Sequence, residues 1–206
     1  MGERKEYQNL TRGDIISVFL YRSGIIFSML ALVYGFLFYF HVITHRTVPS
    51  FLSGPNHHIA LFLLTFSVVL STSFLHLYSK TLLKAIRIFA LTGLVILIVR
   101  YIYFGNDIPS IVFSRGVSGK TGVIGWGFIM AGFSGIGAKE AFCFKLYEGY
   151  AYAILSAMFV LLHLAGALSL SAGFIFVTLI TGLVVIFTFR KLRLPLFYDI
   201  GDKSRY

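Results

Sequence analysis

Six runs of about twenty apolar residues, separated by short polar stretches, constrain this 206-residue chain more than any other feature. A helix of ~20 apolar residues crosses the ~30 Å hydrocarbon layer of a bilayer. The runs predict membrane spans over residues 23–43, 58–79, 85–104, 121–138, 150–168 and 172–189. None alternates apolar with polar residues, as a barrel strand would, and helices satisfy their own backbone groups in lipid. Composition agrees: 57% of residues are apolar and 13% charged, against about 25% charged in soluble domains. A soluble body of this size has too little polar side chain to cover so much carbon. The expected fold is therefore all-α, a polytopic membrane protein built as a six-transmembrane-helix bundle. Residues 1–22 form a cytoplasmic N-terminal segment, 23–189 the transmembrane domain and 190–206 a cytoplasmic tail.

Charge sets the orientation. Fourteen Lys and Arg residues flank one end of these spans, whereas Arg46, Arg100, Arg115 and Lys120 lie toward the other. The positive-inside rule places both termini in the cytoplasm, or in an equivalent compartment such as a stroma. The formal charge of +10 would suit a nucleic-acid binder. Here the basic residues are spread through short links where they orient helices, so the expected partners are the lipid bilayer and other membrane subunits, with no nucleic acid. The first run is too long for a removable signal and is read as a retained helix. Before it, residues 15–21 are expected to lie along the interface as a short helix that turns at Ser23 and Gly24, with Arg22 as an interfacial anchor. Arg100 is expected to snorkel to the far interface.

Several residues are candidates for chemistry. His76 and His163 fall inside predicted spans at different depths. Each could ligate a heme or chlorophyll-type pigment singly, and intramembrane ionisable residues are functional candidates by default. His41, His45, His57 and His58 gather near the far end as weak metal candidates with no carboxylate beside them. Lys139, Glu140 and Cys143 sit in the link after the fourth run, read as a functional loop in which neighbouring lysines could activate the thiol. Gly127, Ala131 and Gly135 recur every four residues and suit close helix packing. The stretch from Ser114 to Thr121 ends in Gly119, Lys120 and Thr121 like a phosphate loop, but Ser114 stands where that loop needs glycine. No catalytic set emerges, and no Asp or Glu is expected deep in any span. With one cysteine there is no internal disulfide.

Tyr21, Arg22 and Gly24; His76 and Tyr78; Lys139 through Phe144; Leu162, His163 and Leu164; and Asp199 through Ser204 occur in an order that resembles an uncharacterised family of integral membrane proteins. That family, a domain of unknown function, is common in cyanobacteria and found in plastids. The chain departs from its pattern at residues 190–193 and at Arg205 and Tyr206. The resemblance implies a photosynthesis-associated or general membrane role and brings no catalytic residues. It marks Arg22, His76, Lys139, Glu140, Cys143 and His163. The expected function is a non-enzymatic accessory or structural subunit of a larger membrane complex, with a heme, chlorophyll-type pigment or carotenoid as conceivable cofactor. The alternatives are a small-solute or ion transporter, and a heme-binding redox protein. The expected location is a bacterial inner membrane or a thylakoid-type membrane.

Overall fold

The computed structural model describes residues 10–44, 56–104 and 117–200. Among them seven helices follow in order: α1 (Arg12–Thr44), α2 (Asn56–Ser73), α3 (Lys80–Phe104), α4 (Val117–Phe144), α5 (Glu148–Leu164), α6 (Leu170–Leu192) and the short α7 (Phe197–Ile200). No strand occurs among the described residues, and the fold is the all-α polytopic membrane bundle expected. Four helices, α1, α3, α4 and α6, are long and apolar enough to cross a membrane; the apolar parts of α2 and α5 are shorter. Large apolar side chains face outward all round, such as Phe19, Phe62, Ile102 and Leu161. In water such a surface would aggregate; in lipid it is simply solvated.

α1, α2, α4, α5 and α6 pack in a closed ring, and α3 lies outside it against α2 and α4. Because successive helices run up and down, the start of α1, the ends of α2, α4 and α6, and α7 meet at one end of the bundle. That end carries most of the described basic residues and is called the basic end.

Helix boundaries differ from the sequence expectation for identifiable reasons. α1 does not break at Ser23 and Gly24 but runs unbroken for 33 residues, about 50 Å at 1.5 Å per residue. Its start is fixed by a capping box. The Asp14 carboxylate accepts hydrogen bonds from the Thr11 amide and hydroxyl, at 2.8 and 2.7 Å, while the Asp14 amide donates back to the Thr11 hydroxyl. Gly24 is needed for close approach, not for a turn: a Cβ there would lie 2.4 Å from Ser71 Oγ and 2.5 Å from the Ser67 carbonyl oxygen. Gly24 and Ser28 on α1 thus meet Ser67 and Ser71 on α2. The Ser28 and Ser67 hydroxyls are 2.8 Å apart, and Ser71 donates to the Tyr21 carbonyl at 2.6 Å. Small residues four apart on both helices allow this contact.

α2 stops at Ser73, six residues earlier than predicted, because Arg87 of α3 caps it. The guanidinium donates to the Thr72 and Ser73 carbonyls at 3.1 and 2.7 Å, which helix ends leave unpaired. α4 continues to Phe144 and ends where Lys145 adopts a left-handed conformation, φ 56°. The α5–α6 hairpin is tight as expected. Gly166 at φ 71° reverses the chain, and Ser169 caps α6 by accepting from the Ala172 amide.

Gly127, Ala131 and Gly135 do not form one packing stripe. Eight residues at ~100° each leave Gly135 about 80° round from Gly127. A Cβ at Gly135 would meet Ile86 of α3 at 2.5 Å, whereas one at Gly127 would meet Val160 of α5 at 3.0 Å. The tightest approach to main chain at a described glycine lies elsewhere: a Cβ at Gly149 would sit 2.2 Å from the Gly137 carbonyl oxygen.

Candidate functional site

Two features occupy the axis of the ring: a buried ion cluster at the basic end and an apolar recess toward the opposite end. The cluster is assembled from four helices. α1 supplies Tyr21 and Arg22, α4 supplies Lys139 and Glu140, α6 supplies Lys191, and α7 supplies Asp199. Glu140 and Lys191 are 0% exposed, Asp199 3%, Arg22 and Lys139 7% each. Glu140 Oε1 accepts from Tyr21 Oη at 2.6 Å and from Lys139 Nζ at 2.8 Å, and Oε2 accepts from Lys191 Nζ at 2.5 Å. Lys191 also pairs with Asp199 Oδ1, whose Oδ2 takes Arg22 Nε at 2.6 Å. Arg22 further donates to the Pro195 carbonyl at 3.1 Å. Both ammonium groups lie over aromatic faces, Lys191 over Phe144 at 4.5 Å and Lys139 over Tyr21 at 5.7 Å.

Such a set is costly to bury unless every charge meets an opposite one, and here each does. Glu140 is the node that joins three donors from α1, α4 and α6. Asp199 brings the segment after α6 back over the cluster to reach Arg22. Residues 190–200 are therefore docked, with α6 continuing to Leu192, rather than a free start to the tail. Outside the cluster, Arg190 pairs with Glu148 at a half-exposed position.

These placements revise several expectations. Arg22 is enclosed by protein and carboxylate rather than anchored in a headgroup layer. Lys139, Glu140 and Cys143 belong to the last turns of α4, not to a loop; the first two are buried and Cys143 is exposed. Glu140 and Asp199 lie outside the predicted spans, as expected, yet both are buried within the protein at the basic end. Arg100 is 3% exposed, covered by protein near the far end of α3. His76 lies in the link between α2 and α3, half-buried, not within a helix. Burial pushes its imidazole pKa down, and the nearby Lys139 charge adds to the effect.

The recess lies between all five ring helices. Its volume is about 160 Å³ and its lining is almost wholly carbon, including Gly35, Phe38, Leu64, Trp126, Phe159 and Ile180. His163 lies at its wall, half-buried beside Phe159. It shares no site with His76, which is at the basic end. A dry cavity of ~150 Å³ accepts a benzene-sized molecule, so the recess takes one ring or a short chain, and a heme or chlorophyll macrocycle exceeds it. His41 ends α1. His45, the side chains of His57 and His58, and residues 114–116 lie outside the described residues, and Val117 to Thr121 open α4. Among the described residues no three His, Cys, Asp or Glu side chains gather to hold a metal.

Sequence reading missed Tyr21 as a partner, and read Lys191 and Asp199 as surface charge and tail. Nothing in one sequence links positions 22, 140, 191 and 199. The available hint was two acids, Glu140 and Asp199, each beside an apolar run in a chain with only eight. Residues 70–206 match the family described as "Uncharacterized integral membrane protein (DUF2301)". The match takes in α3 to α7 with Lys139, Glu140, Lys191 and Asp199, while Tyr21, Arg22 and Gly24 precede it. No curated protein and no solved structure matches the chain.

Proposed function

The chain belongs to the DUF2301 family of integral membrane proteins, and from that premise we propose that it is a non-enzymatic accessory subunit of a larger membrane complex that carries a small neutral apolar group in its central recess. Its six long helices cross the membrane, α2 and α5 included, with both termini on the cytoplasmic or stromal side of a bacterial inner membrane or thylakoid-type membrane. The observation that carries the reading is the recess itself. It is walled by five helices, lined by carbon, and sized for one ring or a short isoprenoid-like chain. The lining surface is almost wholly carbon, with the His163 imidazole and a few hydroxyls at its wall and no carboxylate to pair with them, so it suits binding rather than conversion. Below it, the paired charges fix the helices that form the wall.

The test is purification from native membrane in mild detergent. The expected result is comigration with other membrane subunits and a neutral, extractable apolar compound. Gly35→Leu should abolish that compound while leaving the complex intact, because the Gly35 Cβ position meets nothing within 4 Å except the recess. A lone, compound-free monomer at every detergent strength would overturn the proposal. One observation favours a second reading, a small-solute transporter. Glu140 and Asp199 supply the buried carboxylates that coupled carriers use, on the same axis as the recess. Solute flux in reconstituted vesicles, lost in Gly35→Leu, would replace the first reading with this one.

A further inference from the structure

A second concavity lies on the side of the bundle, separate from the central recess and not required by the function proposed above. It runs between α4 and α5 under the edge of α3, with a volume of about 460 Å³. Ligand pockets commonly fall between ~300 and 1,000 Å³. Its floor is made of small residues, Gly127 and Ala131 on α4 with Ala153, Ser156 and Ala157 on α5. Its rim is large and apolar. Phe89 and Phe128 pair there with ring centroids 5.9 Å apart, and Leu161 projects outward, 66% exposed. No charged residue lines it.

Small residues alone would mean only room for a neighbour. Ser156 adds a chemical requirement. Its residue is 2% exposed, it lines the groove, and its Oγ has no hydrogen-bond partner. Serines in membrane helices usually donate back to the carbonyl one turn earlier, and a buried hydroxyl without a partner is costly. The nearby Tyr152 hydroxyl is already engaged with the Phe133 carbonyl.

We infer that this groove binds a neutral, membrane-dissolved molecule bearing a carbonyl oxygen, with the apolar body lying along the small-residue floor between the Phe89 and Leu161 rims and the carbonyl accepting a hydrogen bond from Ser156. A charged ligand would meet no opposite charge. A pure hydrocarbon would leave the hydroxyl as it is. A carbonyl satisfies Ser156 and brings no donor of its own that would need a partner.

The test uses the full chain in lipid nanodiscs, with empty nanodiscs subtracted, and two probes of one shape: 2-acetylnaphthalene and 2-isopropenylnaphthalene, which replaces the carbonyl by a carbon double bond. The ketone should bind about fivefold tighter than the hydrocarbon, the usual scale of one hydrogen bond, and its infrared carbonyl band should move to lower frequency. Ser156→Ala should abolish the preference and the band shift while leaving hydrocarbon binding unchanged and thermal stability equal or higher, since the buried hydroxyl has no protein partner to lose. Ala157→Phe, at an exposed position, should block both probes without disturbing the fold. Equal affinity of wild type for the two probes, a ketone preference that survives Ser156→Ala, or no binding because another protein helix fills the groove would each overturn the inference. Gly35→Leu leaves the groove untouched, so failure here and failure of the recess proposal are separate outcomes.

Discussion

Glu140→Gln is expected to be the most damaging single polar substitution in the protein. It preserves shape but removes the charge that holds Lys139 and Lys191 in a fully buried position. Breaking a buried pair by removing one partner typically costs ~3–5 kcal/mol, because the remaining charge stays desolvated. Here two ammonium groups lose a carboxylate at once, so the loss should lie at or above the upper end of that range. Thermal unfolding in mild detergent, read with the elution profile on size exclusion, measures it. Adding Lys191→Met should recover part of the loss, since it removes one of the two cations that would otherwise share the single remaining carboxylate, Asp199, which keeps Arg22. The internal comparator is Arg190→Ala. Arg190 pairs with Glu148 where its side chain is 47% exposed, and such pairs contribute about 0–1 kcal/mol. Equal effects of Glu140→Gln and Arg190→Ala would show that the cluster does not hold the basic end together.

Gly149→Ala should rival it through backbone sterics alone. The added methyl would sit 2.2 Å from the Gly137 carbonyl oxygen and 2.6 Å from its carbon. Main chain in the middle of α4 cannot rotate aside as a side chain can. Overpacking commonly costs about 1–3 kcal/mol, and a backbone neighbour places this case at the top of that range or beyond. The α4–α5 contact beneath Tyr152 would have to open. Gly182→Ala on α6 is the control, exposed and with nothing within 4 Å of its Cβ position. There the same methyl should be neutral or stabilise by up to ~1 kcal/mol, as alanine does over glycine within a helix. The same unfolding assay separates the two variants, and indistinguishable midpoints would refute the close packing of α4 on α5.

What the sequence disclosed and what it hid follow from the range of the interactions. Helix existence is a local property: a run of twenty apolar residues admits little else in lipid, and each of the six predicted runs overlaps one of α1 to α6, with 58–79 and 150–168 overshooting the ends of α2 and α5. Ends were less legible because they depend on partners. Ser73 ends α2 through an arginine fourteen residues on, a contact invisible until α3 is placed. The start of α1 was legible and overlooked, since Thr11 and Asp14 carry the spacing of a capping box. Gly24, read as a hinge, is a contact glycine; its fourth neighbour Ser28, and the Ser67 and Ser71 pair, gave the same spacing on both helices. The ion cluster lay beyond reach in principle. Positive charge near apolar runs is read as topology, and nothing local says that Lys191 turns inward while Arg190 beside it turns outward. That difference is ~100° of helix rotation, fixed by how α6 packs on α1 and α5.

Cys143, the chain's one cysteine, provides the most direct test of the arrangement, because it is exposed at the end of α4 beside the ion cluster. A membrane-impermeant maleimide applied to sealed vesicles should label it in inside-out preparations, and in right-side-out preparations only after detergent is added. Prompt labelling of intact right-side-out vesicles would contradict the account, since the basic end of the bundle would then face away from the cytoplasm.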